Sequence, residues 1–379
     1  MHLEKINSNS NIEKILNDLG VDSGGINILS SKSKTHLINI KNLHVGGANI
    51  LKQDALSVGA DLAVPRGTVL AKTKTVDCLL IATTRQLQKL SKKELAQPFD
   101  LKEVAKKLSD IISVKRAENV EIMGVLNAND DSFFNSSRFS EKGAVSKIEQ
   151  MIEDGAKIID IGGVSSAPNS KVISVKEELE RVRGIYKLID EHKLYERVKF
   201  SADTYEPEVA RIALDSGFSI INDIKGLGSD ELCKVIASHD AKAILMHMQG
   251  NPQTMQNNPK YNDLLNDVYT FFEDRIAKAQ SLGVKDLVLD VGIGFGKTLE
   301  HNILLIKNLE HFLTLEKELL VGASRKSMID KIYPSEISER LAGSLEIHME
   351  SVRNGASIIR VHDVKEHAQA LAVHKALNA

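Results

Sequence analysis

From residue 120 to the C-terminus the chain repeats one unit eight times. A short apolar run is followed by an amphipathic stretch, and the pattern then recurs. The runs are IMGVLN (122–127), KIIDIG (157–162), KFSAD (199–203), SIIND (219–223), KAILMH (242–247), DLVLD (286–290), LLVGA (319–323) and SIIRVH (357–362). Helical stretches such as PEVARIALDSG (207–217), DLLNDVYTFFEDRIAKAQSLG (263–283) and KEHAQALAVHKAL (365–377) separate or follow them. Strands this apolar have both faces covered, as in a parallel sheet. Eight βα units in about 250 residues have the period and size of a (β/α)8 barrel. A doubly wound sheet is the alternative, but its nucleotide fingerprint is missing from the first turn.

The first 117 residues lack this rhythm. NIEKILNDLG (11–20) reads as a short helix stopped at Gly20, INILSS and THLINIK as strands, and ANILKQDALSVGAD (48–61) as a helix. VDCLLIATT reads as a buried strand and LKEVAKKLSDII (101–112) as an amphipathic helix. The expected organisation is therefore a small mixed α/β domain over 1–117, joined through VKRAEN to a barrel over 118–379. The small domain is expected to brace the barrel or a dimer interface. An anion site at Gly46-Gly47-Ala48-Asn49 is the less favoured reading against a plain turn.

Composition narrows the function classes. Forty-nine Lys and Arg against 51 Asp and Glu give a net charge of −2, without the basic excess of a nucleic-acid binder. No apolar run reaches the 18 residues of a membrane span, and MHLEKINSNS lacks the apolar core of a signal peptide. Cys78 and Cys233, the two cysteines, lie in apolar surroundings and read as buried thiols of a cytoplasmic protein.

Barrel chemistry gathers where strands end. Those positions hold Asn127, Asp203, Asn222 with Asp223, Met246-His247-Met248, Asp290 before GIGFGK, GASRKS (322–327), and Arg360 with His362. Asp203, Asn222 and Asp290 are short polar groups that suit a flat heterocycle bearing several N–H donors. Arg360 and His362, two apart on a strand, face the same way. With Arg325 and Lys326 they read as a cationic patch for phosphate oxygens. A diphosphate brings a divalent cation, for which Asn127 is the candidate protein ligand, since Mg2+ keeps most of its waters. GIGFGK lacks the spacing and ending of a P-loop. No His/Asp/Glu set has zinc spacing. His247 reads as a packed structural histidine and His301 as part of an early helix turn.

Seven segments now resemble one family, the dihydropteroate synthases of the pterin-binding barrels. They are IMGVLN, DGAKIIDIGGVSS, FSADTYEPEVARIALDSGFSIINDIKG, LMHMQGNPQTMQ, LDVGIGFGKTLEHN, VGASRKS and RLAGSLEIHMESVRNGASIIRVHDV, running in family order over about two-thirds of the chain. The resemblance implies condensation of 6-hydroxymethyl-7,8-dihydropterin diphosphate with 4-aminobenzoate, giving 7,8-dihydropteroate and pyrophosphate, with Mg2+ as cofactor. Carried over by position, Asp203, Asn222, Met246, Asp290 and Lys326 hold the pterin. Asn127, Arg360 and His362 hold diphosphate and metal. Ser166, Pro168, Phe295, Lys326 and Ser327 frame the 4-aminobenzoate. Asp203, Asp290, Lys326 and Arg360 are the expected catalytic set. Family resemblance also implies a homodimer through outer helices and sulfonamide binding near Phe295, Pro168 and Ser327.

Two loops depart from the family pattern. Where it has N-V-T-P-D-S-F-S-D, this chain has Asn127-Ala128-Asn129-Asp130-Asp131-Ser132-Phe133-Phe134-Asn135. Where it has G-G-E-S-T-R-P, this chain has Gly162-Gly163-Val164-Ser165-Ser166-Ala167-Pro168. An acid and an arginine are gone together, and Arg138 is the candidate replacement cation. The alternatives are a catalytically weakened pterin-binding paralogue and a pterin-dependent methyltransferase. Retention of Asn127, Arg360 and His362 favours the synthase over the paralogue, and the SRKS and RVHD elements favour it over the methyltransferase.

Overall fold

The computed structural model describes residues 1–8, 10–128, 139–164 and 173–378. The chain divides into two compact units, Met1–Val114 with Lys375–Ala379, and Lys115–His374.

The first unit opens with helices α1 (Ile12–Asp18) and α2 (Ser23–Ser33). Strand β1 (Thr35–His44), α3 (Val45–Ser57), β2 (Asp61–Ala63), β3 (Thr75–Thr83), α4 (Thr84–Lys93) and α5 (Leu101–Ser113) follow. The strands form an antiparallel sheet in the order β1-β3-β2. Strict alternation along β3 buries Cys78, Leu80 and Ala82, where they join Leu51 and Ala55 of α3, Leu87 and Leu90 of α4, and Leu101 and Leu108 of α5 in one core. On the other sheet face Leu37, Leu79 and Ile81 are exposed.

One sequence expectation fails here. INILSS lies within α2 and is not a strand. A six-residue apolar run carries no period that separates strand from helix. This one gains no strand partner, and its apolar residues stay half-buried or exposed on a helix with no buried residue. Both cysteines are free and buried, as expected. Along α4 Lys89, Lys92 and Lys93 are exposed, but Glu94, which follows it, is fully buried.

The second unit is a closed parallel barrel. Its strands are β4 (Glu121–Asn127), β5 (Ile158–Gly162), β6 (Lys199–Asp203), β7 (Ile220–Asp223), β8 (Lys242–Met246), β9 (Leu287–Asp290), β10 (Glu318–Val321) and β11 (Ile358–Val361), and β11 closes on β4. Helices α6 (Phe139–Glu153), α7 (Val175–Glu191), α8 (Pro207–Asp215), α9 (Asp230–Ser238), α10 (Leu264–Ser281) and α11 (Leu299–Lys307) follow the first six strands in turn. Helices α12 (Ser327–Ile332) and α13 (Leu341–Arg353) follow β10, and α14 (Val364–Asn378) follows β11. Local chemistry starts them. Ser174 and Ser229 cap α7 and α9 ahead of acidic first turns, Pro207 opens α8, and Thr298 with His301 closes a capping box on α11. His301 is thus in the early helix turn expected of it.

The barrel interior is layered. Met123, Ile158, Ile220, Ile244, Val288, Leu320 and Ile358, one from each of seven strands, make a buried apolar ring. On β6 the fully buried residue of the same strand pattern is Ser201. No helix among the described residues is long and apolar enough to cross a membrane.

Candidate active site

Side chains two apart on a strand share a face. Moving two residues along from the apolar ring therefore names the next inward layer: Asp160, Asn222, Met246, Asp290 and Arg360, with Asp203 two beyond Ser201. The layer lies at the C-terminal ends of the strands, where barrel chemistry resides. Strand register aligns it laterally: Asn127 pairs with Gly162, Gly162 with Asp203, Asp203 with Asn222, and Met246 with Asp290.

Arg360 crosses this mouth. Its Nε donates to Asp160 Oδ2 at 2.6 Å and its Nη2 to Asp203 Oδ2 at 2.7 Å. Asn222 Nδ2 donates to the same Asp160 oxygen at 3.2 Å. Asp160 is fully buried, and its second oxygen, Oδ1, has no hydrogen-bond partner. A carboxyl oxygen buried without a donor is costly, which makes this atom a ready acceptor for a ligand N–H.

Burial sets the electrostatics. It pushes the Asp203 carboxyl up to about 7 against the pull of Arg360, with Asp160, Glu178 and Asp223 adding to the rise. Burial also raises Asp290, opposed by Lys326 and by the Gly292 N–H that its Oδ1 accepts at 2.8 Å. Lys326 is pushed down to about 8 by burial, with Asp290 opposing. Its ammonium donates to the Ile293 carbonyl and lies 4.4 Å from the centre of the Phe295 ring.

The structure thus brings Asp203, Asn222, Met246, Asp290 and Arg360 into one inward layer, with Lys326 and Phe295 joined beside it. Asn127 ends β4 and His362 follows β11, on neighbouring strands. Ser327 is exposed at the start of α12. Ser166, Pro168 and Arg138 lie outside the described residues.

Two expectations for the cationic patch change. Arg325 is committed to Asp363, with Nε–Oδ2 at 2.9 Å and Nη2–Oδ1 at 2.5 Å, so it braces two loops and does not face a phosphate. His362 Nδ1 bonds Ser324 Oγ at 3.0 Å. Partial desolvation and then Arg360 push this imidazole below its ordinary value, so at neutral pH it offers a hydrogen bond and no charge. Arg360 itself is turned toward two carboxylates.

Sequence reasoning missed Asp160 and Lys297. For Asp160 the signal was present, because it stands two before Gly162 on the inward face of an otherwise apolar strand. Lys297 was tested only as part of a phosphate loop. His247 is the packed histidine expected, buried against Phe271 at 4.8 Å between ring centres.

The pterin binding enzyme family matches residues 123–362, which span the barrel from its first strand to its last. The chain belongs to the dihydropteroate synthase family. Over its whole length it is 40% identical to the bifunctional dihydropteroate synthase/dihydropteroate reductase of Helicobacter pylori, covering 99% of that protein. It is 43% identical to the dihydropteroate synthase of Escherichia coli K12 over 67% of this chain and 90% of that one. The Yersinia pestis dihydropteroate synthase, solved with a sulfonamide drug complex, superposes with a TM-score of 0.64 at 35% identity, covering 68% of this chain and 94% of that one. The barrel is that of a dihydropteroate synthase, a transferase of a pterinylmethyl group.

Proposed function

We propose that the inward layer binds the dihydropterin ring, with Asp203, Asn222 and Asp290 meeting its polar edge, Met246 its face and Lys326 a ring acceptor. The observation that carries this is the buried, partnerless Asp160 Oδ1 among three carboxylates and one guanidinium at a single mouth. Arg360 balances two of those carboxylates, so the site holds acceptors in place without leaving all their charge uncompensated. Asn127, Arg360 and His362 hold the diphosphate, and Phe295, Lys326 and Ser327, with Ser166 and Pro168, frame 4-aminobenzoate.

The reaction breaks the C–O bond between the pterin methylene and the diphosphate. The electron pair leaves with pyrophosphate, and positive charge spreads into the pterin ring. Asp203 and Asp290 stabilise that charge because they are fixed and desolvated. The arylamine nitrogen then bonds the methylene and loses one proton to the departing pyrophosphate or to water. Its free lone pair needs no strong base beforehand. Lys326, held against Phe295 and Ile293, closes the arylamine side. No group of three His, Cys, Asp or Glu among the described residues can hold a metal alone. Asn127, a single oxygen donor, fits a Mg2+ ion that takes its other ligands from diphosphate and water. Bound there, Mg2+ would neutralise charge on the leaving group.

The test is pyrophosphate release from dihydropterin diphosphate and Mg2+, with and without 4-aminobenzoate. Release that depends on 4-aminobenzoate, with dihydropteroate formed, supports the reading. Pterin binding without release would return it to a binding paralogue. Asp203→Ala is expected to lower turnover by about 10^3-fold while leaving a folded barrel, as judged by circular dichroism.

The Helicobacter pylori relative carries a second activity in its name, and this chain matches it end to end. We propose that this chain shares that reductase activity, a hydride and a proton added to the remaining C=N bond of the dihydropterin ring. The family match begins at residue 123, so the first unit lies outside it and is our candidate to serve the reduction. Formation of tetrahydropteroate from dihydropteroate, with reduced nicotinamide or reduced flavin offered as donor, supports this; no product with either donor overturns it.

A homodimer and sulfonamide binding belong to the same reading. Leu304 of α11, with Ile332, Tyr333 and Ile337 at and beyond the end of α12, is exposed and suits a copy of the same chain. A sulfonamide would take the 4-aminobenzoate place beside Phe295.

A further inference from the structure

We propose that Lys297 is the positioning residue that sets the arylamine wall, by clamping the loop after β9 to the end of β8. The proposal rests on the reading that Phe295 frames 4-aminobenzoate.

The loop is Val291-Gly292-Ile293-Gly294-Phe295-Gly296-Lys297, with alternate residues at positive φ: 67° at Gly292, 83° at Gly294 and 62° at Gly296. Its backbone lies directly on residues 247–249. A β-carbon at position 292 would fall 2.0 Å from the His247 carbonyl oxygen, and one at 296 would fall 2.5 Å from that of Gln249. Glycine is required there by approach as well as by φ. Contact this close shuts water away from the backbone carbonyls on both sides, which must then find donors inside.

Lys297 supplies them. It is among the largest fully buried side chains of the described protein. Its Nζ is 2.9 Å from the Phe295 carbonyl oxygen, 3.2 Å from the His247 carbonyl oxygen and 3.0 Å from His247 Nδ1. An ammonium has three donors, and three acceptors are in place. Two belong to His247, the residue just past β8, and one to the residue that carries the aromatic ring. The stem crosses from one loop to the other, so the bonds fix their separation. Burial lowers Lys297 to about 7, opposed by Asp290, and pushes His247 down to about 2, which keeps the imidazole neutral and able to accept.

The same loop presents the Ile293 carbonyl and the Phe295 ring to Lys326. Further bonds hold its rim: Gln256 Nε2 to the Gly294 carbonyl at 2.6 Å, Tyr261 Oη to the Gly296 carbonyl at 2.7 Å, and the Gly294 N–H to Asn302 Oδ1 at 2.8 Å. Lys297 alone among these donors bonds Phe295 itself and reaches the end of β8. Its loss releases the ring that meets the arylamine, whereas the pterin carboxylates stand on strands held by the sheet.

The experiment is a double-mutant cycle of Lys297→Met and Phe295→Leu in the full-length chain, with KM measured for both substrates. Lys297→Met is expected to raise the KM for 4-aminobenzoate about tenfold and to leave the KM for dihydropterin diphosphate within about twofold. In the Phe295→Leu background the Lys297 change is expected to add little further. Lys297→Gln, which keeps donors for the carbonyls, is expected to recover most of the loss. An unchanged KM for 4-aminobenzoate, an equal rise for both substrates, additivity in the cycle, or failure of both Lys297 variants to fold would each overturn the proposal. If Phe295→Leu alone leaves the KM for 4-aminobenzoate unchanged, the reading of Phe295 falls instead.

Discussion

Asp160 and Asp203 share one guanidinium, and this sharing governs the site at the residue scale. Arg360 holds one oxygen of each carboxylate. Replacing Asp160 with Asn removes one charge and leaves Arg360 balanced by Asp203 alone. We expect kcat/KM for the pterin substrate to fall by about 10^2-fold, in steady-state assays of a variant whose melting temperature is little changed. Asp160→Ala, which strands the guanidinium half-paired, is expected to destabilise the barrel by about 3 kcal/mol in denaturant titrations. Asp203 supplies a pH signature. Its carboxyl is pushed up to about 7 and accepts pterin N–H groups most strongly, and with both oxygens, when ionised. Pterin affinity should therefore weaken as pH falls below about 7, and Asp203→Asn should bind more weakly without that dependence. Calorimetry at pH 6 and pH 8 reads both.

The loop after β10 shows how an element is aimed. The Ala323 N–H donates to His348 Nε2 at 3.1 Å, His348 Nδ1 meets His367 Nε2 at 2.9 Å, and His367 Nδ1 meets the Asp363 carbonyl at 2.6 Å. The first donor forces the rest: Nε2 of His348 must accept, so its Nδ1–H donates to His367, whose own Nδ1–H donates onward. The relay ties the loop bearing Lys326 to the loop after β11, and the Arg325–Asp363 pair ties them again. Both imidazoles are pushed down by burial. The folded barrel refuses protons that the unfolded chain takes up below about pH 6.5. Stability contributed by this pair is full above that pH and is lost as pH falls through it. Thermal melts at pH 7 and pH 5 should show the drop, and His348→Gln, which can still donate and accept, should lessen it.

At the scale of the whole molecule Glu94 gives the first unit a pH signature opposite in sign to that of the His348–His367 pair. In the first unit Glu94 is fully buried beside Asp54, and burial followed by that neighbouring carboxyl raises it to about 7. The folded unit prefers the protonated acid, so this contribution is full below about pH 4.3 and is lost as pH rises through about 7. Calorimetric melts between pH 5 and pH 8 should show the first unit weakening, and Glu94→Gln should flatten that slope. The exposed apolar set on the barrel argues for self-association. If the proposed dimer forms through it, Tyr333→Glu is expected to shift sedimentation to the monomer, because it places a charge in that surface.

The barrel itself was legible because its unit repeats. Each strand is apolar on both faces and each following helix is amphipathic, so period alone carries the assignment. Asn127, Asp203, Asn222, Asp290, Arg360 and His362 were legible for the same reason, since a strand end is a sequence position. INILSS was misread because six residues hold no decisive period to separate strand from helix. Pairing was decided only in three dimensions. The sequence placed Arg325 and Arg360 in one cationic patch; the fold tied the first to Asp363 and set the second beside Asp160 and Asp203 at the mouth, where we propose that it also meets the diphosphate. Lys297 sits 50 residues from the histidine it bonds. Spacing along the chain reports which face a side chain takes on its own element. Which charge neutralises it depends on barrel closure, which brings β11 against β4 and so across the mouth from β5 and β6.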